Sequence, residues 1–319
     1  LLVSILDLLL GLNFLSPVIL IRDSLGDDAV YVESGPQDIY PATLDSGAPY
    51  LLPAAETNYF PIRDWSVPPP VQMAHSVLLY DFASDKTLFS LSEESKLPIA
   101  SLTKLVTAVA VIENIDLSDT ISVKNLAIEK SIKEGGGSDL YAGERIKALD
   151  LLKLMLIESS NDAAYAFDEH LAENYGINLV EKMNEKAREL GMNNTFFTEA
   201  AGLDDKNSFS TARDLIKLVK YSFKYENLYD ILKTEKTAIV SIDGRLEHHV
   251  LNTNQLLGKL LNIIGGKTGC TELAGGSMIL VTKAPNPESR LIAVVLGSDD
   301  RFSDTETLVE WAEKAYIWK

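Results

Sequence analysis

The sequence predicts a mixed α/β fold of the α+β type, with helices packed against an antiparallel sheet. β-rich runs separated by turn residues occur near both ends of the region from residue 73 to residue 319. The sequence between those runs carries apolar residues at helical spacing. Hydrophobic residues make up 46% of the chain and charged residues 24%, which is ordinary for a globular protein that buries a core.

Two β-hairpins are predicted. The first joins residues 76–80 to residues 87–90 through a polar turn, and the second joins residues 278–282 to residues 291–296 through a turn with two prolines. Because the hairpins come from opposite ends of the region, we expect one sheet assembled from sequence that is far apart.

Helices are predicted between the hairpins and at the C-terminus. The helical segments are residues 101–112, 150–158, 161–175 and 179–190. A capping-box pattern, with Ser303 as the first cap and Glu306 three residues later, predicts the start of the last helix.

Charge and cysteine content exclude several classes of protein. The 29 basic and 46 acidic residues give a net charge of −17, so we expect no nucleic-acid partner and no affinity for anionic lipid surfaces. The single cysteine, Cys270, excludes an intramolecular disulfide.

The first 72 residues differ from the rest. Residues 1–22 are almost wholly apolar and predict a membrane anchor or an export signal, with a buried core helix as the alternative. The sequence does not begin with Met, so we expect it to start inside a longer reading frame. Residues 23–72 are rich in Pro, Gly, Ser and Asp, and they predict a linker that ends in the stiff run Pro68-Pro69-Pro70. Residues 73–319 are then the folded domain.

Three short motifs carry groups that could do chemistry. In the first, Ser101 and Lys104 are three residues apart, so they share one face of a helix. A serine hydroxyl becomes a good nucleophile when a base takes its proton, and a lysine can be that base if burial lowers its pKa. By itself, the pair is also typical of a polar helix start with a solvated lysine.

The other two motifs could bind and orient a substrate. Ser159 could relay a proton while Asn161 holds a substrate carbonyl, or the two could only cap the next helix. In Lys267-Thr268-Gly269, the ammonium and hydroxyl groups could face a carboxylate, and the glycine would leave room for a substrate at a strand edge. The alternative there is a glycine-rich turn.

Taken in this order, the motifs resemble the signature set of penicillin-binding proteins and serine β-lactamases. The chain resembles the D-alanyl-D-alanine carboxypeptidase family in particular, from about residue 76 to about residue 296, with further agreement at residues 98–105, 210–214 and 252–257. The resemblance implies the penicillin-binding fold, with a mostly helical subdomain beside the sheet and the active site between them. It also implies that no metal or organic cofactor is needed.

The resemblance implies catalytic roles for three residues and substrate-binding roles for six. Ser101 would be the acylated nucleophile, Lys104 its general base and Ser159 a proton relay. The substrate-binding residues would be Asn161, Arg213, Lys267, Thr268, Gly269 and Cys270. The backbone N–H groups of Ser101 and Cys270 would form the oxyanion hole, and Lys267 with Thr268 would bind the terminal carboxylate.

The implied activity is that of an exported serine D-Ala-D-Ala carboxypeptidase, in the periplasm or at the cell surface. It would trim the last D-alanine from peptidoglycan stem peptides through an acyl-enzyme, and β-lactams would acylate it. Any membrane attachment would come from residues 1–22. Alternatives are a DD-endopeptidase or transpeptidase, a β-lactamase with Glu158 activating water, a thiol nucleophile at Cys270, and a wall-binding module without turnover.

Overall fold

The computed structural model describes residues 60–133 and 140–318 in full, and the backbone of two short strands before them. The chain divides into two compact units, Leu1–Glu56 and Thr57–Lys319. In the first unit, β1 (Ile19–Ile21) pairs antiparallel with β2 (Val30–Val32). The rest of the predicted anchor or signal, and most of the predicted linker, lie outside the described residues.

A five-stranded antiparallel sheet forms the centre of the second unit. In chain order, the strands of this unit are β3 (Ile62–Arg63), β4 (Ser76–Asp81), β5 (Lys86–Leu91), β6 (Thr120–Ser122), β7 (Arg145–Lys147), β8 (Lys236–Val240), β9 (Glu247–Leu251), β10 (Ile263–Thr271), β11 (Gly275–Lys283), β12 (Arg290–Ser298) and β13 (Tyr316–Ile317). The sheet order is β10-β11-β12-β4-β5, so β12 and β4 join the two predicted hairpins edge to edge. Both hairpins are confirmed, with strands longer than the sequence predicts.

Helices cover both faces of this sheet. They are α1 (Thr103–Asn114), α2 (Asn125–Lys133), α3 (Ala148–Lys153), α4 (Asn161–Tyr175), α5 (Leu179–Glu189), α6 (Ala212–Ser222), α7 (Glu226–Leu232) and α8 (Arg301–Ala315). Side chains alternate along the strands, so Leu78 and Val294 enter the larger core with the internal helices. Their neighbours Val77 and Val295 enter a smaller core with Leu308 of α8.

Two helix starts differ from the prediction. Ser101 lies on a 3₁₀ turn (Ala100–Leu102), and α1 begins only at Thr103. The last helix is capped by Asp300, because its carboxylate accepts the backbone N–H of Ser303 at 3.1 Å. The predicted cap, Ser303, is therefore already inside the first turn.

The compact unit also begins earlier than the predicted boundary at residue 73. It starts at Thr57, and β3 pairs with β13 at the C-terminus. The indole N–H of Trp311 donates to the carbonyl of Pro68 at 2.7 Å, and the carboxylate of Asp304 accepts the N–H of Met73 at 3.0 Å. The last part of the predicted linker is thus packed on α8. None of the helices in the described ranges is long and apolar enough to cross a bilayer.

Candidate active site

The three predicted motifs meet at one place, although they come from distant parts of the chain. The Lys104 amine lies 3.0 Å from the Ser101 hydroxyl and 2.7 Å from the side-chain oxygen of Asn161. The Lys267 amine donates to the Ser159 hydroxyl at 2.9 Å. The site therefore lies between the turn before α1, the start of α4 and strand β10.

Ser101 lies on a tight, crowded turn. The preceding residue, Ala100, has a left-handed φ of 48°, which costs a non-glycine residue about 1–2 kcal/mol. Gly202 packs closely against this turn. A Cβ on Gly202 would lie only 2.1 Å from the carbonyl oxygen of Ala100. The turn places the half-buried Ser101 three residues before Lys104, which lies in the first turn of α1.

Lys104 is fully buried, and its amine lies within hydrogen-bond distance of three oxygens. Besides Ser101 and Asn161, its partner is the backbone carbonyl of Ala201, at 2.6 Å. Burial lowers the pKa of Lys104 to about 7, and the carboxylate of Glu199 acts in the opposite direction. Near neutral pH, a large fraction of Lys104 is therefore a neutral amine, which can accept a proton.

The side chains of Ser159 and Asn161 do not serve as the cap of α4. The cap of α4 is Ser160, whose hydroxyl accepts the N–H of Ala163 at 3.2 Å. Ser159 precedes it at a left-handed φ of 72°, after a π-helical turn (Leu154–Glu158) that extends α3. Ser159 and Asn161 contact the two buried lysines instead.

The third motif is a strand and not a glycine-rich turn. Lys267 and Thr268 lie within β10, paired with β11, and both are buried. Burial, then the nearby charges of Lys104 and Arg301, lower the pKa of Lys267 well below its usual range. The hydroxyl of Thr268 lies 2.6 Å from that of Thr253. The charge of Arg301, together with the amine and hydroxyl donors here, favours an anion.

Strand β10 passes directly against the turn that carries Ser101. A Cβ on Gly269 would lie 2.9 Å from the backbone nitrogen of Ser101 and 2.9 Å from the Cβ of Ala100. Only glycine lets the two backbones come this close. Cys270 follows Gly269 and is exposed.

Arg213 lies among acidic side chains. It pairs with Glu93 at 2.9 Å and with Glu94 at 3.0 Å. Within residues 60–133 and 140–318, no described hydrogen bond or ion pair links it to the serines and lysines above. These contacts favour a role for Arg213 in fixing the start of α6 to the segment before the Ser101 turn.

Two charged residues near the lysines have no signal in the sequence. Glu199 acts electrostatically on Lys104, and Arg301, at the start of α8, acts on Lys267. Neither belongs to a short motif, and each reaches the site through a loop or helix end whose position depends on the folded chain.

Comparison with known proteins identifies the family. The sequence profile of the D-alanyl-D-alanine carboxypeptidase family matches residues 64–300. The chain belongs to this family. It is 33% identical over 281 residues to the D-alanyl-D-alanine carboxypeptidase DacC of Escherichia coli, covering 84% of this chain and 68% of that protein. It is also 33% identical over 222 residues to a D-alanyl-D-alanine endopeptidase of Haemophilus influenzae, covering 68% and 73%.

A solved structure agrees with this assignment. A mutant of the Streptomyces K15 DD-transpeptidase superposes with a TM-score of 0.71 at 25% identity, covering 76% of this chain and 99% of that one. The family, the fold and the enzyme class predicted from the sequence are therefore confirmed.

The contact at Gly269 predicts a measurable effect of one methyl group. Gly269→Ala should destabilise the fold by about 1–3 kcal/mol, because the methyl group has no space. It should also slow acylation by penicillin, because it moves β10 away from Ser101. Urea unfolding and the rate of penicillin labelling measure the two effects.

Gly176→Ala is the matched control for that prediction. Gly176 has a left-handed φ of 66° and no atom near the position of a Cβ, so its replacement should cost stability alone. Equal losses of labelling rate in the two variants would contradict the proximity of Gly269 to the reacting groups.

Proposed function

We propose that this protein is a serine-type D-Ala-D-Ala carboxypeptidase that removes the terminal D-alanine of peptidoglycan stem peptides through an acyl-enzyme on Ser101. The observation that carries the proposal is the 3.0 Å contact between the Ser101 hydroxyl and a buried lysine whose pKa is about 7. A general base needs a pKa near the working pH, and Lys104 meets that condition.

Acylation begins when neutral Lys104 takes the Ser101 proton. The serine oxygen then attacks the carbonyl carbon of the penultimate D-alanine. The backbone N–H groups of Ser101 and Cys270 stabilise the oxyanion, a contribution for which losing one donor typically costs about 100-fold in rate. The close approach at Gly269 supports this pairing, because it brings the β10 backbone to the Ser101 nitrogen.

The leaving D-alanine requires a proton on its nitrogen as the peptide bond breaks. Ser159 is the donor we propose, and the Lys267 amine at 2.9 Å can return a proton to it. Water then attacks the ester on Ser101, which releases the shortened peptide and restores the serine.

The substrate carboxylate would bind beside β10. Lys267 and Thr268 supply an ammonium and a hydroxyl group there, and the charge of Arg301 adds to the positive potential. A bound carboxylate would raise the pKa of Lys267 again, because an opposite charge favours the ammonium form. Asn161, at the start of α4, would orient the peptide.

A DD-endopeptidase is the second candidate. The identity to the Haemophilus influenzae endopeptidase is the same 33% as to the carboxypeptidase DacC. An endopeptidase would use the same nucleophile and base on a crosslinked peptide. The complete set of serines and lysines argues against a wall-binding module without turnover.

Substrate tests separate these functions. We expect the full chain to release D-alanine from a peptide that ends in Lys-D-Ala-D-Ala and to leave the matched peptide ending in D-Ala-L-Ala uncleaved. If the chain cleaved only crosslinked peptide dimers, we would assign it as a DD-endopeptidase instead. Covalent binding of penicillin followed by its rapid hydrolysis, with no peptide cleavage, would replace it by the β-lactamase.

The substrate class implies that the protein acts outside the cytoplasm. We propose that residues 1–22 direct its export or anchor it in the membrane, because they form an apolar run of sufficient length. Deleting them should leave the protein inside cells that otherwise export it. Unchanged export of the shortened chain, measured by cell fractionation, would contradict this role.

The pKa of Lys104 predicts the pH dependence of acylation. Below its pKa of about 7, Lys104 is an ammonium and cannot accept the serine proton. The second-order rate of penicillin labelling should therefore rise with pH and reach half its maximum near pH 7. A rate that is constant from pH 5.5 to pH 9 would contradict Lys104 as the base.

A further inference from the structure

We infer that Glu199 is a positioning residue for acylation, which holds the Ala201 carbonyl against the Lys104 amine and places a negative charge beside it. The inference rests on the proposed function, since it takes Lys104 to be the base. Glu199 itself does not touch Ser101 in any described contact, so it acts through Lys104.

The Glu199 carboxylate ties together the loop that follows it. Its two oxygens accept the backbone N–H groups of Ala201 at 2.6 Å, of Leu203 at 2.9 Å, and of Gly202 between them. The hydroxyl of Tyr165, on α4, donates to it at 3.0 Å. Three successive backbone donors on one carboxylate fix the loop much more strictly than neutral hydrogen bonds would.

The same loop contacts both the base, Lys104, and the turn that carries the nucleophile, Ser101. Its Ala201 carbonyl accepts a hydrogen bond from Lys104 at 2.6 Å. Its Gly202 packs on the Ala100 carbonyl so closely that no Cβ fits. A shift of the loop would therefore move an acceptor of the base and the support of the nucleophile turn together.

The contacts of Lys104 explain why this acceptor matters. A neutral amine has two hydrogens and one lone pair. Its two shortest contacts are with the Ala201 carbonyl, at 2.6 Å, and the Asn161 side-chain oxygen, at 2.7 Å. If these oxygens take the two hydrogens, the lone pair faces Ser101 at 3.0 Å. Without the Ala201 carbonyl, the amine could rotate and lose this orientation.

Charge supplies a second effect of Glu199. Glu199 acts on Lys104, whereas Lys104 and Arg301 act on the neighbouring Lys267. Glu199 is the carboxylate among them, and it raises the pKa of Lys104 against the effect of burial. Without that charge, Lys104 would lose its proton at a lower pH and would also be a weaker base.

The test is the pH profile of penicillin acylation in the full chain carrying Glu199→Gln. We expect the acylation rate at pH 9 to fall about tenfold or more, because a displaced base is costly. We also expect the midpoint of the profile to move to lower pH. A midpoint that is unchanged or higher would overturn the inference, and so would a rate within twofold of the parent.

Asp204→Asn is the matched control. Asp204 lies on the same loop and accepts the N–H of Leu273 at 3.0 Å, but it is exposed and does not act on Lys104. Its replacement should leave the midpoint in place. An equal shift in this variant would assign the effect to general loss of charge and would overturn the specific role of Glu199.

Two further measurements keep the test decisive. If Glu199→Gln does not fold, Glu199→Asp can replace it, because aspartate retains the charge on a shorter side chain. The midpoint of the pH profile should then stay in place while the acylation rate falls. An unchanged acylation rate would contradict the inference. NMR titration of the Lys104 ε-carbon, assigned with a Lys104→Met variant, follows the midpoint without any turnover. It therefore separates a failure of this inference from a failure of the proposed carboxypeptidase activity.

Discussion

The Ser101→Ala variant should release no D-alanine above the uncatalysed background and should bind no penicillin covalently. Removing a serine nucleophile removes the covalent route entirely, and such losses reach about a millionfold in kcat. The hydroxyl of Ser101 contacts Lys104 in the structure, and losing one such hydrogen bond costs about 1 kcal/mol. The variant should thus remain folded. Release of D-alanine by a freshly purified sample measures the effect, with urea unfolding as the check on folding.

Cys270 provides the control for that prediction. It is the exposed thiol beside the site and the alternative nucleophile. Cys270→Ala should keep the covalent penicillin label. A label that survives in Ser101→Ala and disappears in Cys270→Ala would show that Cys270, and not Ser101, is the nucleophile.

The Lys104→Met variant should lose about 1,000-fold in the rate of acylation, because general base catalysis contributes about 100- to 10,000-fold. Methionine fits a buried site of this length, but it leaves the oxygens of Asn161 and Ala201 without their donor. We therefore expect a loss of stability of about 1–3 kcal/mol for each oxygen that water cannot reach. The rise of the rate around pH 7 should also disappear. Stopped-flow labelling with penicillin from pH 5.5 to pH 9 measures both.

Lys233→Met is the matched control for Lys104. Lys233 is exposed at the end of α7, so its replacement removes a lysine without touching the site. It should retain the parental rate and pH profile. A Lys104→Met variant that loses less than tenfold, or that keeps the rise near pH 7, would contradict the assignment of Lys104 as the base.

Much of the fold can be predicted from the sequence because its strands are short apolar runs bounded by turn residues and its helices carry apolar residues at helical spacing. The apolar runs of β4 and β12 pack on both faces, and α4 has the bounds that its pattern predicts. The convergence of the three motifs was predicted by their resemblance to a family and not by their spacing. No local signal brings residues 101, 159 and 267 together.

The remaining features depend on tertiary contacts. The turn that carries Ser101 follows from packing against Gly202 and Gly269, more than 100 residues away in sequence. The role of Glu199 depends on a backbone carbonyl, which has no sequence signature. Arg213 was expected near the site by family resemblance, whereas its partners, Glu93 and Glu94, could be identified only in the folded chain.

Mapping the site of the penicillin adduct identifies the nucleophile. The full chain is incubated with benzylpenicillin at pH 8, where Lys104 is largely neutral, and is then analysed intact and after digestion by mass spectrometry. We expect one adduct per chain, on the side chain of Ser101. An adduct on Cys270 or on any other residue, or no adduct at all, would contradict this expectation.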